Sequence, residues 1–212
     1  MVIVTEFNCS VQIYLACFAQ LVFLRPTTCP HCGTDHSFIG HGFYPRKPLD
    51  AQQAYLIRIK RWYCTVCHRT LSLLPSFLLR FRHYLLEVIQ VAVVARYEDT
   101  ASWRQVAEGC SLQGVPSMRT MKRWCHSFAT QAVAWLGESE QTLAQHDPAL
   151  PLLDALGQNV GPLDRPRALL AASLQLLAWA KTRWAELTNY GLTDRFRFLW
   201  HWGHALGLAR LI

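Results

Sequence analysis

The spacing of apolar residues follows one period in the first third of this chain and another in the rest. Between 56 and 63, Ile57 and Ile59 alternate with Arg58 and Lys60, the period of two expected of a half-buried strand with one basic face. Phe38 to Tyr44 predicts a partner strand, joined to it through a loop marked by Pro45, Pro48 and Asp50. Thr70 to Leu74 predicts a third strand, stopped by Pro75. Upstream, Val2, Ile3 and Val4 read as a short strand, and 11–24 as an amphipathic helix packed on this sheet.

From 83 the period lengthens to that of helices. Residues 83–97 carry apolar positions 85, 86, 89, 92 and 93, widened by Val88, Val91 and Val94, which predicts a largely buried helix. A second helix is expected from about Ala101 to Glu108, capped by Thr100 or Ser102. A third begins at Ser117, a good N-cap, and runs through Met121, Trp124, Phe128, Ala132 and Trp135, spaced by three and four. Gly109 and Gly114 bracket the turn between these two, the order of a helix-turn-helix. Four of the ten prolines fall in 146–166, a linker composition, and two Trp- and Leu-rich helical stretches follow around Asn189-Tyr-Gly191. The expected fold class is therefore α+β, mostly α. Its expected parts are an N-terminal segment with a small β ribbon (1–82), a helix-turn-helix (83–137), a Pro-rich linker (138–166) and a C-terminal helical hairpin (167–212).

Charge sharpens this division. The net +7 of the chain is matched by residues 25–82, which hold nine Lys and Arg against Asp35 and Asp50, while residues 138–212 balance seven against seven. Such a localised excess is the electrostatic footprint expected of a nucleic-acid partner. Hydrophobic residues at 51% are enough for packed cores. The first 24 residues lack a basic start, and polar residues interrupt their apolar stretch, so no signal peptide or membrane span is expected and the chain reads as cytoplasmic.

Cys29-Pro-His-Cys32 and Cys64-Thr-Val-Cys67 are separated by 31 residues. Each Cys-x-x-Cys places two sulfurs on one side of a tight turn, and two facing turns supply the four thiolates of a closed tetrahedral zinc site. One structural Zn2+ held by Cys29, Cys32, Cys64 and Cys67 is the expected cofactor, with Gly33 supplying a positive φ in the first turn. His31, His36, His41 and His68 are expected beside the metal or on the surface. Cys9, Cys17, Cys110 and Cys125 read as buried free thiols.

Candidate DNA contacts form two groups. In the ribbon, Arg46, Lys47, Arg58, Lys60, Arg61 and Arg69 are interleaved with Tyr44, Tyr55, Trp62 and Tyr63, a pattern suited to phosphates with stacking nearby; Arg80 and Arg82 add to its charge. In the third helix, Ser117, Arg119, Thr120, Lys122 and Arg123 lie on the side away from Met121 and Trp124, where polar and cationic groups reach base edges and phosphates. The C-terminal tryptophans Trp179, Trp184, Trp200 and Trp202 suit packing or self-association.

The run Cys29-Pro-His-Cys32-Gly, His41-Gly-Phe-Tyr-Pro-Arg46, Ile57-Arg-Ile-Lys-Arg61, Cys64-Thr-Val-Cys67-His-Arg-Thr70 and Leu74-Pro75, followed by Arg119-Thr-Met-Lys-Arg-Trp124, resembles the zinc-ribbon and helix-turn-helix module of bacterial insertion-sequence transposases, and a standalone family related to them. The resemblance covers roughly 26–136. It implies recognition of double-stranded DNA in the context of a mobile element. The catalytic α/β domain of such transposases, with its three metal-binding carboxylates, has no counterpart here. Glu138, Glu140, Asp147, Asp154, Asp164, Glu186 and Asp194 are scattered among caps and linkers. A zinc-stabilised DNA-binding protein that is not an enzyme is the first expectation, with homodimer formation through the C-terminal helices. The alternative is an adaptor whose ribbon docks on a transposase or another protein partner; no membrane partner is expected.

Overall fold

The computed structural model describes residues 2–5, 10–111, 115–149, 164–208 and 211–212. Two compact units follow one another in the chain, Met1–Leu85 and Leu86–Ile212. The mixed, mostly helical class agrees with the sequence reading.

The first unit is a four-stranded sheet in the order β1-β4-β3-β2. The strands are β1 (Val2–Thr5), β2 (Phe38–Arg46), β3 (Ile57–Cys64) and β4 (Thr70–Pro75). β2, β3 and β4 are antiparallel neighbours, whereas β1 runs parallel to β4. Strand β2 contains one more residue than its partner: Gly40 faces Trp62, yet Phe43 faces Lys60. This is a β-bulge, and Gly42 takes its positive φ of 66°.

Because paired residues share a face, the bulge puts Phe38, Gly40, Phe43 and Pro45 together with Cys64, Trp62, Lys60 and Arg58. At the cysteine end this face is a core of Cys29, Phe38, Trp62, Cys64, Leu71 and Leu73. At the other end of β3 it is the opposite face, with Ile57 and Ile59, that is buried. The simple alternation read from the sequence therefore holds only for 57–60 and then changes phase.

Helix α1 spans Val11–Ala16, capped by Ser10, and does not continue to Leu24. Its buried Val11 and Tyr14 anchor it, with the Tyr14 hydroxyl donating to the Arg58 carbonyl at 3.0 Å. Phe18 then leaves the helix to meet Phe23 and Phe43, which is why the apolar run does not stay helical.

In the second unit, α2 (Leu86–Tyr97), α3 (Trp103–Cys110), α4 (Met118–His146), α5 (Arg165–Arg183) and α6 (Arg195–Ala205) pack around a shared core. Helix α2 touches each of the other four, which explains an apolar stripe too wide for a surface helix. The buried Gln90 of α2 donates to the Leu192 carbonyl at 2.8 Å and accepts from the Phe196 N–H at 2.9 Å, fixing the start of α6. Arg195, 4% exposed, makes two bonds to Glu98 at 2.6 and 3.0 Å. Phe128 of α4 stacks on Phe196 at 5.1 Å.

Two sequence boundaries are corrected here. Helix α4 does not give way to a linker at 138 but continues to His146. Its buried stripe goes on through Ser139, Thr142 and Leu143, and Ser139 satisfies its hydroxyl on the Trp135 carbonyl at 2.6 Å. Small polar residues at inward positions hid this extension from a reading by apolarity. The C-terminal helices are not a separate hairpin, since they share one core with α2 and α4. Of the expected linker, 150–163 lies outside the described residues, as do Cys9 and Gly114.

Candidate metal centre and basic faces

The two cysteine turns share one backbone design. Gly33 N–H donates to the Cys29 carbonyl at 2.8 Å, and His68 N–H donates to the Cys64 carbonyl at 3.0 Å. The residue that closes each turn is left-handed, Gly33 with φ 71° and His68 with φ 58°. Ser37 ties the turns together: its carbonyl accepts from the Thr65 N–H at 2.8 Å and its hydroxyl lies 3.2 Å from Cys64 Sγ.

The four Sγ atoms all lie within 4.8 Å of one another, and the Cys29–Cys67 and Cys32–Cys64 separations are both 3.8 Å. A disulfide needs about 2.05 Å, so these are not oxidised pairs. Metal–sulfur bonds of about 2.3 Å in a tetrahedron require sulfur separations of about 3.8 Å. Two of the sulfur separations thus have the length of a tetrahedron edge, and all of them fall within reach of one metal ion. Cys29 and Cys64 are buried within the ribbon core, Cys67 is half-buried and Cys32 is exposed.

Electrostatics point the same way. The Cys67 N–H, then the Ser37 hydroxyl, hold the Cys64 thiol down to about 6. Thr34, through its hydroxyl and backbone, lowers Cys32. Burial, with the neighbouring sulfurs adding to it, pushes Cys67 up to about 12. Four thiolates so close repel one another, and a bound cation is what lets them all ionise. Among the described residues this is the only group of three or more His, Cys, Asp or Glu that could hold a metal ion.

The neighbouring histidines take other parts. His68 supplies the left-handed residue of its turn, and its Nδ1 lies 2.7 Å from the Tyr63 hydroxyl. His41 packs against Tyr63 at 5.6 Å, and His36 is a left-handed residue in the Thr27–His36 loop. Of the other thiols, Cys110 and Cys125 are buried as expected, whereas Cys17 is exposed.

The expected single basic face of the ribbon is divided. Arg58 and Lys60 lie on the face of the metal core, and their cations are interleaved with rings. Arg58 stands over Phe18 at 4.4 Å, Lys60 lies 4.8 Å from Phe43 and 4.7 Å from Trp62, and Arg25 covers Trp62 at 5.7 Å. Cation–π contacts of this kind stabilise by about 0.5–1 kcal/mol each at exposed sites and hold the charges in fixed places. Trp62 is 8% exposed, so it serves the ribbon core and this ladder rather than an outer surface.

Arg61 is on the opposite face, over Tyr44 at 5.6 Å. Arg46 is not an outward contact at all. Its guanidinium donates to the Leu79 carbonyl at 2.7 Å and to the Arg82 carbonyl, and burial lowers its pKa. Lys47 and Arg69 are exposed. The two ribbon carboxylates are spent on local bonds, Asp35 with Thr28 and Asp50 with Tyr55 and the Gln52 and Gln53 N–H groups. Among the described residues no ion pair involves Arg25, Lys47, Arg58, Lys60, Arg61 or Arg69.

In the helical unit Ser117 caps α4 by accepting from the Thr120 N–H at 3.3 Å, and the two hydroxyls are 3.0 Å apart. These hydroxyls are engaged with each other. Arg119, Lys122 and Arg123 are exposed on the first turns of α4, while Met121 and Trp124 are buried. Trp103 of α3 lies between Arg96 at 5.0 Å and Lys122 at 5.4 Å. Seven residues, 111–117, join α3 to α4, more than the three or four of a tight helix-turn-helix. Trp179 and Trp200 are buried inside the unit, and Trp184 is 40% exposed.

The sequence reading missed Arg25, Phe18 and Phe43 as members of the cation ladder. No spacing rule pairs them, because the bulge and the break after α1 bring them together. It also passed over Phe81, which is 82% exposed with a φ of 60°. An apolar residue between two arginines, Arg80 and Arg82, was the available signal.

The family described as a domain of unknown function (DUF6431) matches residues 29–124, a little under half of the 212-residue chain. The match runs from the first metal-site cysteine to Trp124 in α4 and brings no activity with it. No curated protein and no solved structure matches the chain. No helix among the described residues is long and apolar enough to cross a membrane.

Proposed function

We propose that this chain is a zinc-stabilised DNA-binding protein related to the recognition modules of transposases. The observation that carries the reading is the ladder of Arg25, Lys60 and Arg58, held between aromatic rings beside the four-thiol centre and matched by no carboxylate among the described residues. Cations left uncompensated and positioned in advance lose little freedom on meeting phosphates, and the counterions they release favour binding. Zinc held by Cys29, Cys32, Cys64 and Cys67 would clamp the turns that end this sheet; with four thiolates it has no open position, and its part is structural. Arg119, Lys122 and Arg123 on the first turns of α4 present a second set of exposed cations suited to the major groove.

The test is selection from a random duplex library with zinc-loaded protein, with and without a chelator. Enrichment of one motif that is lost on chelation is expected, with a log–log salt slope on the order of −5 for about six phosphates. Arg58→Ala should weaken all duplexes alike, and Arg119→Ala should relax preference at one position. A slope near zero, with folded and metal-bound protein, would overturn the reading in favour of docking on a protein.

A further inference from the structure

Leu79–Arg82 is a tight turn, closed by the Arg82 N–H on the Leu79 carbonyl at 3.3 Å. Phe81 occupies its third position with φ 60°, a conformation that such turns ordinarily give to glycine. An aromatic residue held in this backbone is an outlier that the fold does not need for packing, since the ring is 82% exposed. The turn is nevertheless braced. Arg46, reaching from β2, donates to the carbonyls of both its first and its last residue. The Arg80 guanidinium stands over the Phe81 ring at 4.5 Å.

Beside this turn lies a groove of about 550 Å³, lined by Tyr44, Lys47, Arg80, Phe81, Arg82 and His83 among others, and by no Asp or Glu. A positively charged recess with an aromatic ring fixed at its rim matches one ligand chemistry well: a phosphodiester strand whose bases are free to stack. A duplex keeps its bases stacked on one another and offers phosphates alone, which would use the cations and leave the ring idle. We infer that this groove takes an unpaired nucleotide of a DNA strand, its base on Phe81 and its phosphate among Lys47, Arg80 and Arg82. The inference rests on the DNA-binding reading above and adds a preference for junctions between duplex and single strand. Arg46 acts as a positioning residue that holds the turn.

The experiment compares zinc-loaded protein on a blunt duplex, on the same duplex with an oligothymidine overhang, and on one with an abasic overhang of equal length. The thymidine overhang is expected to bind about tenfold tighter than the other two. Phe81→Leu, which keeps an apolar side chain without a ring face, should remove that gain and leave blunt-duplex affinity unchanged. Phe81→Gly, which suits the positive φ, should do the same, so a stability loss cannot account for the result. Equal binding to thymidine and abasic overhangs, or a gain that survives both variants, overturns the stacking site while the duplex reading stands. Failure to bind any of the three DNAs overturns both.

Discussion

The two units of this chain reach stability by different means. Around the four thiols the ribbon packs a cluster of six buried residues, and two of them, Cys29 and Cys64, are themselves candidate metal ligands, while Tyr14, Ile57, Ile59 and Leu78 are completely buried elsewhere in the same unit. The helical unit needs no such clamp: Phe128, Trp135, Leu176 and Phe196 are completely buried among five helices. The cluster at the cysteine end shares its residues with the thiol site and so depends on it, whereas a helix touching four others does not. Charge follows the same division. The ribbon leaves Arg25, Lys47, Arg58, Lys60, Arg61 and Arg69 without ion-pair partners among the described residues, while the helical unit pairs Arg104, Arg167, Arg183, Arg195 and Arg197 internally. One unit is built for holding charge outward, and the other is built mainly for packing.

Loss of the proposed zinc should break this contrast most severely. Structural zinc contributes roughly 10–16 kcal/mol in small zinc folds, so chelation, or Cys64→Ser, should unfold the first unit. Limited proteolysis should then cut within 1–85 while the helical far-UV signal of 86–212 persists. Simultaneous loss of both would show that the helical unit depends on the ribbon.

A second, smaller effect belongs to the helical unit alone. A Cβ on Gly203 would sit 2.1 Å from Trp135 Cη2 and 2.2 Å from Cζ3, against a rigid ring with 0% exposure. Gly203→Ala should cost about 3 kcal/mol despite the better helix propensity of alanine, read as a lower denaturation midpoint with zinc affinity unchanged. An unchanged midpoint would mean that α6 can move away from α4 freely.

The mildest change sharpens the comparison from the ribbon side. His68 holds a left-handed turn position that glycine fills at residue 33. His68→Gly should keep the four-thiol site and alter stability by less than about 1 kcal/mol, because relief of the positive φ is offset by a freer unfolded chain. His68→Val, with a β-branched side chain at positive φ, should weaken zinc binding. Equal behaviour of the two variants would mean that the Tyr63 contact, rather than the backbone, is what His68 supplies.

What the sequence made legible follows from how local each signal is. The doubled Cys-x-x-Cys and its closing Gly33 are set by residues within one turn, and the thiols do converge. Ser102 and Ser117 announce their helices through bonds made three residues away. The length of α4 was hidden because Ser139 and Thr142 occupy buried positions that an apolar pattern leaves blank. The placement of Arg46 was unreadable because its acceptors, the Leu79 and Arg82 carbonyls, are backbone groups more than thirty residues away. The burial of Trp62 beside Lys60 and Arg58 was hidden because no local cue announces that the strand changes its buried side there.

The bulge at His41 and Gly42 gives the spacer between the two cysteine pairs a parity. Thirty-one residues separate Cys32 from Cys64, and the one left unmatched in β2 decides which side of the sheet each later residue of that strand meets. Deleting one of the two would keep Gly40 on Trp62 and Phe43 on Lys60, whereas pairing the same strand without a bulge would put Phe43 on Ile59 and bring Tyr44 to Arg58, on the side of the cation ladder. The extra residue therefore works as a frame shift within the sheet, and the side on which Phe43 meets the cations is set by the strand absorbing that residue in a bulge.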